Sequence, residues 1–188
     1  MKRLILASAS PRRAQLLAQI GLEFLVVKSA FSETEIYSED DVEEQALAKA
    51  RAVCNDFPRE FVLGADTAVF NAGKALGKPR DENDAAEMLR SLSGQVHSVI
   101  TGLALIKGKR EITGREKTFV RMRTISEDEI AEYVSSGEPM DKAGAYGIQG
   151  RGAVFVEKIE GCYFNVVGLP LARLTAMLES EGFSIWKK

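Results

Sequence analysis

The chain has little histidine and little cysteine, and this narrows the chemistry that it can perform. His97 is its single histidine, and Cys54 and Cys162 are its two cysteines among 188 residues. One histidine excludes histidine-rich metal sites within one chain, and no nucleophile-elbow motif accompanies it for a Ser-His-Asp triad. Two cysteines far apart in sequence form neither a zinc knuckle nor a disulfide framework, so we expect small buried hydrophobes in a reducing cytosol. Chemistry must therefore rest on carboxylates, lysine, arginine and a metal ion.

Long apolar runs and a strong net charge are also missing. No stretch of about eighteen apolar residues is present, so no membrane span is predicted. The start has only a short apolar run, with Arg12 and Arg13 close behind it, which is not the pattern of a signal peptide. With 25 basic and 27 acidic residues the net charge is −2, so nucleic acid is not expected as a partner. We therefore expect a soluble protein without membrane or nucleic-acid partners.

What is present is the composition of one folded domain. Hydrophobic residues make up 45% and charged residues 28% of the chain, which is typical of an ordered globular protein. No repeat, low-complexity tract or long linker divides it, so residues 1–188 are predicted to form a single domain. Helical and strand patterns occur without strict alternation, which predicts an α/β or α+β fold with a mixed sheet.

Local signals predict the positions of helices and strands. Helices are predicted where a cap precedes an apolar face of helical period, beginning at Pro11, near Glu39, after Asp81, after Ser126 and at Pro170. Strands are predicted at 4–7, 24–27, 61–63, 96–106, 112–122, 153–156 and 163–167, with a hairpin turn at 71–74. The strand at 61–63 is expected to end at the Gly64-Ala65-Asp66-Thr67 motif.

The segment from Ser8 to Arg13 leads from the first strand into the first helix. A helix start presents free backbone N–H groups and the positive end of the helix dipole, which together bind phosphate. Arg12 and Arg13 add forked, charge-assisted donors in the first turn. The alternative is a solvated basic turn beside an ordinary helix cap.

Asp66, Thr67 and Lys78 are further candidates. Ligand sites of open α/β sheets gather at the carboxyl ends of strands, where Asp66 is predicted to lie. Asp66 is expected to hold a metal or to orient water, with Thr67 as a donor and acceptor beside it. Lys78 is a compact point charge suited to a phosphate. Taken singly, Asp66 also fits a turn and Lys78 a solvated loop.

Two other stretches carry polar side chains of interest. The glycine-rich segment 144–152 lets the backbone approach a ligand, and Gln149 within it can read the edge of a base through its amide. The acidic stretch from Glu33 to Asp41 is expected to be mainly a solvated face and helix N-terminal charge. Glu33 is its first candidate to hold a hard cation together with Asp66. His97 is expected to be a satisfied, partly buried histidine.

Taken together, the motifs resemble those of the Maf family of nucleoside triphosphate pyrophosphatases. They are SASPRR at 8–13, the Lys49-Ala50 pair, GADT at 64–67, GKP at 77–79, SGQVHSVITG at 93–102 and DKAGAYGIQG at 141–150. The resemblance covers nearly the whole chain in order. It implies an elongated, two-lobed mixed α/β fold of the ITPase kind with a substrate cleft between the lobes, a cytoplasmic location and frequent homodimers. It also implies hydrolysis of a nucleoside triphosphate to the monophosphate and pyrophosphate with Mg²⁺ or Mn²⁺.

The resemblance also assigns residues. Arg12, Thr67 and Gln149 are similar to those of the subgroup that acts on dTTP and UTP, whereas relatives with Trp, Gln and Glu at these places act on 7-methyl-GTP. Asp66 corresponds to the general base or water-orienting residue, while Glu33 as a metal ligand beside Asp66 rests on the acidic stretch alone. The other substrate-binding residues implied are Ser8, Arg13, Lys49 and Lys78. Modified pyrimidine nucleotides stay open as the cellular substrate.

Two functions of other classes stay open. A nucleotide-binding regulator of cell division, with slow or incidental hydrolysis, would use the same phosphate-binding residues, and family proteins have been linked with inhibition of septum formation. An RNA-binding module is disfavoured by the net charge of −2 and by the lack of a basic aromatic platform. Metal-dependent pyrophosphate release would separate these functions from the enzyme.

Overall fold

A mixed sheet organises the protein. The computed structural model describes residues 3–32 and 34–186. Within them the strands are β1 (Leu4–Leu6), β2 (Phe24–Val26), β3 (Phe61–Asn71), β4 (Lys74–Leu76), β5 (Val96–Lys107), β6 (Arg110–Met122) and β7 (Val156–Glu160). Their order is β2-β1-β3-β5-β6-β7, with β4 beside β3. β1 is parallel to β2 and β3, and the other pairs are antiparallel. The predicted mixed α/β fold with a mixed central sheet is confirmed.

Helices cover both faces of this sheet. They are α1 (Pro11–Gln19), α2 (Glu39–Cys54), α3 (Glu82–Leu92), α4 (Glu127–Ser135), α5 (Tyr163–Val167) and α6 (Leu171–Ser180). In β1, Leu4 and Leu6 join an apolar cluster with α1 and α6, while Ile5 between them joins a cluster with α2. This alternation is the period of two expected for a strand buried on both faces. In 3–32 and 34–186 no helix is long and apolar enough to cross a membrane.

Local capping explains why the helices begin where they do. Pro11 occupies the first turn of α1, as predicted. In α2, the Ser38 hydroxyl accepts from the backbone N–H of Asp41, and the Asp41 carboxylate accepts from the N–H of Ser38. Ser126 and Glu129 form the same reciprocal pair at α4. The helix start predicted after Ser126 is confirmed. It could be predicted because the signal of such a capping box lies within four consecutive residues.

The prediction that the third strand ends at residue 63 is wrong. β3 continues to Asn71, because β5 pairs with it from Val62 to Phe70 and holds the whole stretch extended. Asp66 and Thr67 therefore lie in the interior of a central strand, not in a turn after it. The hairpin turn predicted after this strand is present between β3 and β4.

Two strands predicted near the carboxyl terminus are also wrong. Residues 151–155 form a 3₁₀-helix, and the strand follows as β7. Residues 163–167 form α5, although their aromatic and β-branched side chains favour strands. The buried Asn165 amide donates to the Val99 carbonyl and to Thr118 Oγ1, both at 2.9 Å. These tertiary contacts override the local preference.

One edge of β3 is occupied at its two ends only. β1 pairs with residues 61–63 and β4 with residues 69–71, while β5 takes the opposite edge. In the part of the chain that the structure describes, residues 64–68 have no strand neighbour on the first edge. β1 ends at Leu6, next to this gap, so the turn that leads from β1 into α1 lies beside residues 64–68.

Two glycines allow α2 to pack directly on the sheet. A Cβ at Gly64 of β3 would collide with the Ala46 carbonyl and lie 2.9 Å from the Ala50 nitrogen. A Cβ at Gly102 of β5 would lie 2.5 Å from the Val42 carbonyl oxygen. Only glycine permits this approach, and it brings the side chains of α2 to the middle of β3.

Candidate active site

A cleft of about 1820 Å³ opens at the gap beside β3. The turn into α1, the middle of β3, α2 and the segment 140–150 all contribute to its walls. Eight of the residues predicted for the site line it, namely Ser8, Arg12, Arg13, Lys49, Asp66, Thr67, Lys78 and Gln149. Glu33, the ninth, lies outside the described residues. The structure thus brings together side chains that are 141 positions apart in sequence.

Arg13 is held by three segments of the chain. Its Nε donates to the Gly168 carbonyl at 2.9 Å, one terminal nitrogen to Ser8 Oγ at 3.1 Å, and the other to Thr67 Oγ1 at 3.0 Å. The side chain is only 9% exposed. Arg13 therefore brings a fixed positive charge to the wall of the cleft, with little conformational freedom to lose when an anion binds.

The contact of Arg13 with Thr67 continues into the sheet. Thr101 Oγ1 donates to the Asn165 carbonyl at 3.0 Å, and it lies 3.0 Å from Thr67 Oγ1. Since the Thr101 hydroxyl has one proton, Thr67 is the donor of the pair and accepts from Arg13. Thr67 is thus oriented from both sides.

Lys49 and Asp66 form a buried ion pair in the cleft. Lys49 Nζ lies 2.5 Å from Asp66 Oδ1, and the two residues are 6% and 7% exposed. The position of Lys49 follows from the close packing of α2 on the glycines of the sheet. A buried pair of this kind orients the carboxylate and holds it next to a positive charge.

Arg12 lines the cleft and pairs with Asp141, another residue of its lining. It lies 3.1 Å from Asp141 Oδ2, while Lys142 Nζ lies 2.5 Å from Asp141 Oδ1. Partial burial would raise the pKa of Asp141, but hydrogen bonds from Lys142 and Arg12 outweigh it and hold that pKa below its usual value. Asp141 is therefore an anion between two cations. Sequence reasoning assigned it no role, because its partner lies 129 positions away.

Gln149 and Lys78 reach the cleft from two loops. Gln149 is exposed in a turn closed by a hydrogen bond from the Gly150 N–H to the Gly147 carbonyl at 3.3 Å. Lys78 follows the hairpin of β3 and β4, and its neighbour Gly77 accepts from the Gly144 N–H at 3.0 Å. The loop that carries Lys78 is thus attached to the glycine-rich segment.

The oxygen atoms of the cleft suit a hard cation. In residues 3–32 and 34–186 no three acidic, histidine or cysteine side chains cluster as a metal site. Besides Asp66, the cleft contains Gln45, whose amide nitrogen donates to the Thr34 carbonyl at 2.7 Å while Oε1 is buried without a partner in the described chain. Mg²⁺ binds proteins through one or two carboxylates, other oxygens, water and substrate phosphates. Asp66 and Gln45 fit that donor set, and sequence reasoning missed Gln45.

Three acids of the stretch from Glu33 to Asp41, and one ring nitrogen of His97, have ion-pair or hydrogen-bond partners within the protein. Arg115 pairs with Asp40, Lys117 pairs with Glu39, and Asp41 caps α2, so these acids form the predicted solvated face and helix N-terminus. His97 is 2% exposed. Its Nε2 lies 2.8 Å from the Tyr146 hydroxyl, but its Nδ1 is buried without a partner in the described chain. The sequence predicts that His97 is satisfied and partly buried; it is almost fully buried, and only one of its two ring nitrogens has a hydrogen-bond partner in the described chain.

The cysteines are both free thiols. They are half-buried, not buried as predicted. Cys54 ends α2, and Cys162 precedes α5. Neither lines the cleft in the part of the chain that the structure describes.

Comparison with known proteins gives consistent matches over the full length. The family model described as Maf, Maf-like protein, matches residues 3–181. The dTTP/UTP pyrophosphatase of Symbiobacterium thermophilum is 49% identical over 189 residues, covering 99% of this chain and 97% of its own length. The dTTP/UTP pyrophosphatase of Acetivibrio thermocellus is 48% identical over 200 residues, covering both chains completely. The structure of the Staphylococcus aureus Ham1 protein superimposes with a TM-score of 0.53 at 13% identity, covering 96% of this chain and 100% of its own, which supports the fold alone.

Proposed function

The chain belongs to the Maf-like protein family, and we propose that it hydrolyses dTTP and UTP to the nucleoside monophosphate and pyrophosphate. The observation that carries the proposal is the buried Lys49–Asp66 pair in a cleft that Arg13 and Gln149 also line. Full-length relatives named dTTP/UTP pyrophosphatase, at 48–49% identity, support the choice of substrates. A nucleotide-pool enzyme of this kind would act in the cytoplasm.

The phosphates are assigned to the cationic wall of the cleft. A nucleoside triphosphate brings about four negative charges, which the buried Arg13 and the more exposed Arg12 and Lys78 complement. The start of α1 adds backbone N–H donors and the positive end of its dipole. Arg13 is oriented before substrate arrives, because Ser8 and Thr67 hold both of its terminal nitrogens.

Asp66 is assigned the role of general base. Its Oδ1 is engaged by Lys49 at 2.5 Å, and its Oδ2 is the atom that would take a proton from the attacking water. The water oxygen forms a bond to the α-phosphorus, the bond from that phosphorus to the bridging oxygen breaks, and pyrophosphate leaves. General bases of this kind contribute roughly 10²–10⁴ in rate.

A divalent cation, Mg²⁺ or Mn²⁺, would neutralise charge on the phosphates and on the leaving pyrophosphate. Asp66 and the unpartnered Oε1 of Gln45 would hold it, and we propose Glu33 as a further ligand. Gln45 lies one helical turn before Lys49 on α2, so both side chains are on the same face of the helix.

Gln149 is assigned to the base. Its amide offers one donor group and one acceptor, which match the N3–H and a carbonyl of uracil or thymine. An ionised glutamate at this position would offer acceptors only. Gln149→Glu is therefore expected to lower kcat/KM for UTP and dTTP by roughly ten- to a hundredfold, because wrongly matched polar groups are left unpaired.

The experiment measures kcat/KM of wild type and Gln149→Glu on UTP, dTTP, CTP and GTP, with chromatographic identification of products. Wild type should give UMP and pyrophosphate from UTP, and Gln149→Glu should lose most on UTP and dTTP. Gln95→Glu is the matched control, because Gln95 is exposed and away from the cleft. UDP with orthophosphate as products would refute attack at the α-phosphorus. Equal losses on all four bases would refute base reading by Gln149, and binding without turnover would favour a nucleotide-binding regulator.

A further inference from the structure

Glu138 gathers three hydrogen-bond donors from around the glycine-rich segment. It begins the 3₁₀ turn Glu138–Asp141 that follows α4. Its Oε1 accepts from the Tyr133 hydroxyl at 2.9 Å and from the Gly152 N–H at 3.3 Å, and its Oε2 accepts from the Arg151 N–H at 2.9 Å. One carboxylate thus holds the backbone that follows Gln149.

Tyr133 holds the other end of the same segment. Its hydroxyl oxygen accepts from the Gly147 N–H at 3.1 Å while its proton goes to Glu138. The ring is 4% exposed and packs edge to face on Phe155 at 5.1 Å. Glu138 and Tyr133 therefore clamp residues 147–152 on both sides of Gln149.

The backbone of this segment is fitted closely to the clamp. A Cβ at Gly150 would lie 2.5 Å from Glu138 Cδ, and a Cβ at Gly152 would lie 2.7 Å from the Tyr133 hydroxyl oxygen. Both positions need glycine because the chain touches the two side chains directly. A small displacement of the Glu138 carboxylate would therefore be passed to the residues that flank Gln149.

The clamp lies behind the cleft and not in it. Gly147, Gln149 and Gly150 line the cleft, whereas in the described chain Glu138 and Tyr133 do not. Burial would raise the pKa of Glu138, but hydrogen bonds from Arg151, Tyr133 and Gly152 lower it overall. The carboxylate is ionised at neutral pH and acts as an acceptor for all three donors.

We propose that Glu138, together with Tyr133, is a positioning residue for base selection, which fixes the 147–152 loop so that Gln149 presents its amide to the pyrimidine. The proposal rests on the proposed function, since it requires that Gln149 reads the base. The proposed role does not involve the reacting phosphate, so loss of Glu138 should change the choice of base and leave the phosphate chemistry unchanged.

Glu138→Gln tests the proposal with little change in size. In either orientation of the new amide, its NH₂ group faces a backbone N–H, that of Arg151 or that of Gly152, and loses that hydrogen bond, so the loop must shift. We expect the preference for UTP over CTP to fall about tenfold, through KM, with kcat changed by less than about threefold. Inhibition by pyrophosphate should stay unchanged, because it reports phosphate binding alone. Glu132→Gln is the matched control, since Glu132 is an exposed acid on the same helix as Tyr133.

Tyr133→Phe provides a second, independent variant. It keeps the ring packing but removes the hydroxyl that joins Glu138 to Gly147. It should reduce the same preference, and the double variant should lose less than the product of the two single losses, because both act through one network. Amide hydrogen exchange at residues 147–152 should become faster in each variant and stay at the wild-type rate in Glu132→Gln.

The outcomes separate this proposal from the proposed function. If Gln149→Glu abolishes the base preference while Glu138→Gln and Tyr133→Phe keep it within about twofold, positioning by Glu138 is refuted and base reading stands. If Gln149→Glu changes all bases equally, both fail. Equal losses on every base and on pyrophosphate inhibition would show a general structural role and also refute the proposal. If Glu138→Gln does not fold, Tyr133→Phe decides by the same measurements.

Discussion

Replacing Asp66 by asparagine separates the two roles that the structure gives this carboxylate. It is the proposed general base, and it is also the partner of Lys49 at 2.5 Å in a site where both residues are almost fully buried. Asparagine keeps the shape and one oxygen that can accept from Lys49, but it cannot take a proton from water. The variant should therefore lose activity, and it should also lose stability, because Lys49 loses the buried carboxylate charge that faces it.

The two magnitudes follow from different interactions. Loss of a general base should lower kcat by roughly 10²–10⁴, which corresponds to about 3–5 kcal/mol of activation free energy. Removing one charge of a buried ion pair should reduce the free energy of unfolding by about 3–5 kcal/mol, because the Lys49 ammonium loses the carboxylate charge that faces it. For a protein of this size that is a fall of roughly 6–20 °C in melting temperature.

Pyrophosphate release from UTP and scanning calorimetry measure the two effects. Asp84→Asn is the matched control, because Asp84 is another carboxylate that lines the cleft but pairs with the exposed Arg80. It should keep at least about a third of wild-type kcat, a loss far smaller than one from removing a general base. Asp66→Asn with near-normal turnover would refute the assignment and point to another carboxylate as the base. An equal loss of kcat in Asp66→Asn and Asp84→Asn would show that negative charge in the cleft in general, and not Asp66 in particular, supports turnover.

Two further predictions concern the metal and the histidine. EDTA should abolish pyrophosphate release and Mg²⁺ or Mn²⁺ should restore it, whereas full activity in chelator would remove the metal from the reaction. Burial lowers the pKa of His97 to about 4 in the folded protein. As the pH falls from about 6.5 towards about 5, the imidazole therefore becomes protonated in the unfolded chain but stays neutral in the folded one. The free energy of unfolding should drop by about 2 kcal/mol between about pH 6.5 and about pH 5. Urea unfolding at a series of pH values should show that drop in wild type and a smaller drop in His97→Gln. The same dependence of the free energy of unfolding on pH in both proteins would contradict the prediction.

Features encoded within a few residues could be predicted from the sequence. The capping box at Ser126 and the proline start of α1 depend on side chains that contact their own helix, so their signals are local. The motif at 64–67 suggests a turn because glycine and aspartate favour turns. Its extended conformation depends on pairing with β5, which lies in a distant part of the sequence. Long-range pairing of this kind leaves no local signal.

The candidate site shows the same division. The residue types of Arg13 and Asp66 suggest phosphate and water chemistry as one of two interpretations, and Lys49 is assigned only by the resemblance to the Maf family. That Lys49 contacts Asp66, or that Arg13 donates to the Gly168 carbonyl, follows only from the folded chain. The clamp by Glu138 is equally hidden, since a glutamate before a proline has no distinctive pattern. Residue chemistry is therefore readable from sequence, and residue contacts are not.

The distance between Lys49 and Asp66 depends on the two glycines, Gly64 and Gly102, on which α2 packs. Lys49 lies between Ala46 and Ala50, whose backbone atoms a Cβ at Gly64 would strike. One methyl group there would push the helix outward and withdraw the ammonium from Asp66, although the methyl touches neither charge. A misplacement of about 1 Å far from the chemistry can cost roughly a hundredfold in rate. Activity can thus be lost by a mutation that replaces no charged or polar residue, and a mutational screen of the charged positions alone would not find it.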